Sequence, residues 1–129
     1  MFENLDVFKM SSAMASHAGR RQALTAQNAA NVDTPGYRAK RLPSFADLTQ
    51  SPDQHPALRA TRAGHLYGVG AEVTHARVTE ERNDPAPDGN TVSVEREMLE
   101  SVSATREHSR ALAIYKSALT ILQTTLSRS

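Results

Sequence analysis

The chain has 129 residues, of which 39% are hydrophobic but only 5% aromatic, so it is long enough for one domain at most and short of the bulky side chains that fill a self-sufficient core. A net charge of +1, with 15 basic residues against 14 acidic ones, supplies no field that would draw it to nucleic acid or anionic lipid. The absence of cysteine excludes a disulfide framework and a thiolate metal site.

The opening residues, MFENLDVFKMSSAMASHAGRRQ, do not combine a basic start, an apolar core and a cleavage site, so an ordinary secretory signal is not expected. No uninterrupted apolar run approaches the ~20 residues of a membrane helix. From Asn4 to Asn31 there is no proline and one glycine, Gly19, while Leu5, Phe8, Ala15, Ala26 and Ala29 fall near helical spacing with Val7, Met10, Met14 and Ala18 beside them. The pattern predicts an amphipathic helix over 4–31 with a narrow, alanine-rich stripe suited to close approach of another helix.

That helix must stop by Thr34, because proline disfavours helical geometry in the residue before it. Pro35 and Gly36 then supply the fixed φ and the positive φ of a type II turn. Asn28, Asn31 and Asp33 can satisfy backbone groups left open by the terminating helix, and Tyr37 offers a ring with a polar tip to whatever lies across the turn.

The span 32–90 holds, beyond this corner, five of the six prolines, at 43, 52, 56, 85 and 87, and its composition opposes long helices. Within it AEVTHARVTEE alternates Val73, His75 and Arg77 with Glu72, Thr74, Ala76 and Val78, which permits a short β arm. The rest reads as irregular connection, and one of this length is either functional or disordered.

A second helix is predicted over 91–127. Asp88-Gly89-Asn90 makes a turn before it, Ser93 is placed to cap it, and Glu95 and Glu97 stand in the first turn where negative charge suits the helix dipole. Positions 94, 98, 101, 105, 108, 112, 115, 119, 122 and 126 step by four and three and read as a heptad seam, with Met98, Leu112, Tyr115, Leu119, Leu122 and Leu126 as its packing residues. Leu99, Val102, Ile114, Ala118 and Ile121 widen the apolar face beyond what one neighbour would cover. The expected fold is all-α: two long terminal helices packing as a coiled-coil-like pair, joined by a long irregular segment, in a single unit spanning 1–129.

The stretch LTAQNAANVDTPGYRAKR resembles the N-terminal signature of flagellar axial proteins, A-x-N-I-A-N-x-x-T-P-G-Y-[KR]. Asn28, Ala30, Asn31, Thr34, Pro35, Gly36, Tyr37 and Arg38 match it, and Ala29 departs from the usual Ile. The size, the RLPSF that follows, ATRAGHL, and DGNTVSVEREM beside D-G-N-N-V-D-[LI]-E-x-E-M extend the similarity to the basal-body rod proteins of that family over nearly the whole chain.

The resemblance implies a structural rod subunit, with Asn28, Asn31, Thr34, Pro35, Gly36 and Tyr37 as its assembly motif. It implies self-association within the periplasmic rod, other rod subunits and the membrane-ring or export-gate end of the basal body as partners, and export by the flagellar type III apparatus without a cleaved signal. A soluble helical adaptor or export chaperone is the alternative, although neither needs the Thr-Pro-Gly-Tyr corner.

The histidines at 17, 55, 65, 75 and 108 lack the close spacing of a zinc site, and no carboxylate is set beside them by a motif, so no enzyme activity, small-molecule substrate, cofactor or metal is expected. Arg20, Arg21, Arg38, Lys40 and Arg41 have no interleaved aromatics. They read as solvated or subunit-pairing charge and not as a nucleic-acid grip.

Overall fold

The computed structural model describes residues 2–50, 76–81 and 84–127. Two long helices dominate it: α1, Phe2–Ala30, and α3, Val94–Leu126. At 1.5 Å per residue their 29 and 33 residues extend for ~43 and ~50 Å. They pack against each other, and that contact is by far the largest between any two elements. Phe8 near the start of α1 meets Tyr115 far along α3, ring centroids 5.1 Å apart and edge to face. Asn28 near the end of α1 reaches Glu97 near the start of α3. The pair is therefore antiparallel, a hairpin whose closed end lies at the corner.

Between them, β1, Lys40–Arg41, pairs antiparallel with β2, Thr79–Glu80, in the register Lys40 to Glu80 and Arg41 to Thr79. A short helix, α2, Phe45–Gln50, stands where the sequence suggests only irregular connection. The Ser44 hydroxyl starts it by accepting from the amide of Asp47, and Phe45 lies edge to face with His17 of α1 at 5.7 Å. Of the expected β arm only the last residues are described, and there the strand is confined to Thr79 and Glu80. Val73 and His75 lie outside the described residues.

The seam between α1 and α3 has heptad spacing but is filled differently from the expected stripes. On α1 the buried positions Ser11, Ala18 and Thr25 are seven apart, and on α3 so are Glu97, Ala104 and Ala111. On the predicted seam Met98 is 64% exposed and Leu126 72%, with Leu112 and Val94 also exposed. Apolar side chains mark the face richest in hydrocarbon, whereas two backbones close most tightly where side chains are small. Ala18, Ala104 and Ala111, with Ser11, Thr25 and Glu97, therefore hold the interior, and larger apolar residues flank it. Among the described residues Leu42 is the only buried hydrophobic residue larger than alanine. This interior removes little hydrocarbon from water.

Ser93 occupies the N-cap position of α3 in extended geometry, but its side chain makes no capping bond. The amide of Glu97 donates to its carbonyl instead, at 2.9 Å. The expected cap is therefore positional only.

Candidate functional site

The corner is a turn of the kind its residues dictate. The Tyr37 amide donates to the Thr34 carbonyl at 3.3 Å, and Gly36 has φ +70°. Ahead of the turn, Asn31 closes the end of α1. Its side-chain amide donates to the Gln27 carbonyl at 2.7 Å, and its side-chain carbonyl accepts from the Thr34 hydroxyl at 3.2 Å. The turn is then held from across the chain. The Gly36 amide donates to the Asp88 carbonyl at 3.0 Å, and the Thr91 amide to the Tyr37 carbonyl at 3.1 Å. Gly89, the second left-handed glycine with φ +82°, passes so close that a Cβ there would lie 3.4 Å from the Cα of Gly36.

Asn90 is the bolt of this clasp. Its side-chain NH2 reaches the carbonyls of Asn31, Val32 and Thr34 at 3.0, 2.7 and 2.9 Å. Two N–H groups serve three acceptors, so one is shared. Its own amide donates to the Asp88 carboxylate and its Oδ1 accepts from the Val92 amide, which fixes the side chain at both ends. In sequence Asn90 reads only as a turn residue, since its acceptors lie on the far side of the chain's long connection.

Below the turn stands a buried polar hub. Asn28, fully buried, donates to the Lys40 carbonyl at 2.9 Å and to Glu97 at 3.2 Å. Its Oδ1 accepts from the Lys40 amide at 2.9 Å and the Tyr37 hydroxyl at 3.3 Å. Glu97, 2% exposed, receives the Arg41 guanidinium on both oxygens, the nearer contact 2.6 Å. Arg41 also binds Glu81, which in turn binds Arg96 at 2.7 Å. Burial, followed by the Glu97 charge, raises the pKa of the Tyr37 hydroxyl, so it stays a donor.

Arg41 and Glu97, read from sequence as solvated or subunit-pairing charge and as a dipole-favouring carboxylate, are thus partners inside the chain. Arg21, also in the basic cluster, grips Glu100 and Glu107. Burial works against its charge, but those two hydrogen-bonded carboxylates outweigh it and raise its pKa. Arg38 is exposed.

The six motif residues are therefore brought together, but unequally. Asn28 is buried, Asn31 and Tyr37 are half-buried, and Thr34, Pro35 and Gly36 are exposed at the tip. The packing residues are not gathered into one place. Tyr115 meets Phe8, Leu122 is half-buried, and Met98, Leu112, Leu119 and Leu126 are exposed. Ser11, Ser12 and Ala15 of α1 with Ala111, Leu112 and Tyr115 of α3 line an open groove of about 240 Å³. No helix among the described residues is long and apolar enough to cross a membrane.

The chain thus presents a hydrogen-bonded tip on a helical stem whose larger apolar side chains face outward. In sequence the chain is similar to the flagellar basal body rod protein FlgB of Cereibacter sphaeroides, 28% identical over 106 residues that cover 82% of each chain. It is also similar to the protein of the same name from Agrobacterium fabrum, 25% identical over 131 residues, covering 96% of this chain and 95% of that one. No protein-family profile matches it. The resemblance to flagellar basal-body rod proteins, FlgB in particular, thus extends along most of the chain.

Proposed function

We propose that the chain is a structural subunit of the bacterial flagellar basal-body rod, which self-assembles through its terminal helices into part of the shaft between membrane ring and hook. The observation that carries this reading is the stem. Met98, Leu99, Val102, Ile121 and Leu126 are each about half or more exposed, while alanines occupy the seam. A lone monomer rarely leaves so much hydrocarbon in water. Covering each such side chain would contribute on the order of 1.5–3 kcal/mol, so neighbouring copies can supply the core that the hairpin lacks.

In this reading the neighbours are other copies, other rod subunits and the membrane-ring or export-gate end of the basal body. The chain reaches them through the flagellar type III apparatus without a cleaved signal. The clasp holds the corner motif as a rigid tip while the stem packs, and no catalysis is involved. The same exposed stem weighs against a free-standing adaptor or chaperone, which would have to close its faces in a small oligomer.

Leu119→Asp tests the proposal. Leu119 is 39% exposed, so the hairpin should tolerate the change, whereas a subunit contact should not tolerate a carboxylate. The expected outcome is normal protein level, loss from purified basal bodies and loss of swimming. Swimming cells with the variant in their basal bodies would refute packing through this helix.

A further inference from the structure

The charges of the clasp turns and of the later part of α3 differ in sign, while Arg96, beside Glu95, is taken up by Glu81. In the two turns of the clasp, 31–38 and 84–93, Asp33, Asp84 and Asp88 are exposed and Arg38 is the only cation; Glu95 adds an exposed carboxylate in the first turn of α3. Further along α3 the balance reverses. From Ser101 to Ser127 its exposed charges are Arg106, Arg110 and Lys116, and the single acid, Glu107, is already held by Arg21. Neither these three cations nor Asp33, Asp84 and Glu95 enter an ion pair among the described residues. Among the described residues both sets keep a net charge, with Arg38 the single cation beside the four carboxylates.

The two patches also match in what surrounds the charge. Leu99, Val102, Arg106, Arg110 and Ala113 recur every three or four residues, so they form one exposed stripe on the side of α3 away from Ala104 and Ala111. Exposed Pro35, Pro85, Ala86 and Pro87 give the clasp an apolar rim between its carboxylates.

We infer that the acidic, proline-rimmed clasp of one copy docks on the basic back stripe of α3 in a second copy of this chain. This deepens the rod-subunit reading and rests on it for the place such a contact would serve. The two surfaces differ, so the contact is heterologous and generates an array instead of a two-fold dimer. Copies lying parallel are offset by the distance along α3 from Glu95 to the turn between Arg106 and Arg110, which is ~20 Å at 1.5 Å per residue.

A charge-swap experiment on the purified full chain tests the contact. One variant carries Arg106→Glu with Arg110→Glu, the other Asp33→Lys with Asp84→Lys, and sedimentation velocity reads self-association at ~50 and ~500 mM NaCl. The wild type should associate, about tenfold more weakly at the higher salt. Each variant alone should lose that association, because its two patches then carry one sign, and an equimolar mixture should regain it. A wild type that stays monomeric at ~1 mM, variants that associate like wild type, or a mixture that fails to recover would each overturn the contact. Anionic phosphatidylglycerol vesicles provide the other arm. If they bind the wild type but not the Arg106/Arg110 variant, while the Asp33/Asp84 variant self-associates normally, the stripe faces lipid and the proposal falls. Leu119→Asp in cells reads rod membership separately, so failure of the charge swap with rod incorporation intact removes only this contact.

Discussion

The two ends of the hairpin are held by opposite means. At the corner the chain is pinned by directional bonds: Asn90 to three carbonyls, Asn28 to Lys40 and Glu97, and Arg41 to Glu97 and Glu81. Along the stem, small side chains meet across the seam and the larger apolar ones stay outside. A polar network specifies one geometry because each member left unpaired in a buried place is costly. A seam of mostly small side chains permits close approach but removes little hydrocarbon from water. The tip is closed by bonds within the chain, whereas the stem leaves its larger apolar side chains uncovered.

Removing Arg41 tests that contrast most severely. Glu97 is 2% exposed and among the described residues would keep only Asn28 beside its charge, so Arg41→Ala should cost about 3–5 kcal/mol of clasp stability, the usual penalty for stranding a buried carboxylate. Arg21→Ala on the stem should cost less, because its partners Glu100 and Glu107 retain 33% and 24% of their side-chain exposure against 2% for Glu97. Amide hydrogen exchange at Gly36 and Lys40 would report the opening. Equal exchange in the two variants would mean the corner is no more cooperative than the stem.

A milder break is Gly36→Val. Nothing lies within 4 Å of a Cβ built there, so the whole cost is conformational: φ +70° suits glycine and resists a β-branched residue, by about 1–3 kcal/mol. Gly36→Asn, which enters the left-handed region more easily, should recover much of the loss. The valine chain should still be made and exported, and be deficient in incorporation. Failure of both substitutions alike would mean that the exposed tip itself, and not its backbone, is what a partner reads.

The corner is legible in the sequence because its signal is local. Proline and glycine dictate the backbone of their own turn, and the helix ends within a few residues of where they require. Asn90, Arg41 and Glu97 are legible as residue types but not as a network, since the partners of each lie across the connection and nothing in their own neighbourhoods names them. Burial decides whether a charged residue is solvated or structural, and spacing alone does not give burial. The stem misleads for a related reason. Leucine-rich positions outweigh alanines in any hydrophobic pattern, yet Ala104 and Ala111, seven apart, are the better guide to which face closes on α1. The order of small residues carries that information, and the order of large ones describes the face left exposed.

His17 offers the gentlest test, at the point where stem and connection meet. It is 1% exposed, lies edge to face with Phe45, and neither ring nitrogen has a hydrogen-bond partner among the described residues. Burial first, then the Arg21 charge and more weakly Arg20, lower its pKa from 6.5; Glu107 and the nearby Pro43 carbonyl pull the other way without cancelling them. Folded, the imidazole therefore binds fewer protons than it would unfolded. Its contribution is fully present above pH 6.5 and is lost as the pH falls from there through the folded value. Acidification from about pH 7.5 to about 5 should thus loosen the seat of Phe45, seen as faster exchange in α2 and as a His17 Cε1–H resonance titrating below the random-coil value. His17→Leu keeps an apolar partner for the ring and removes the proton, so it should flatten this dependence while the Gly36 amide, held by Asp88, stays protected in both chains. If the leucine variant loosens α2 with acid as the wild type does, the sensitivity does not belong to His17, which is then simply a filler beside the seam.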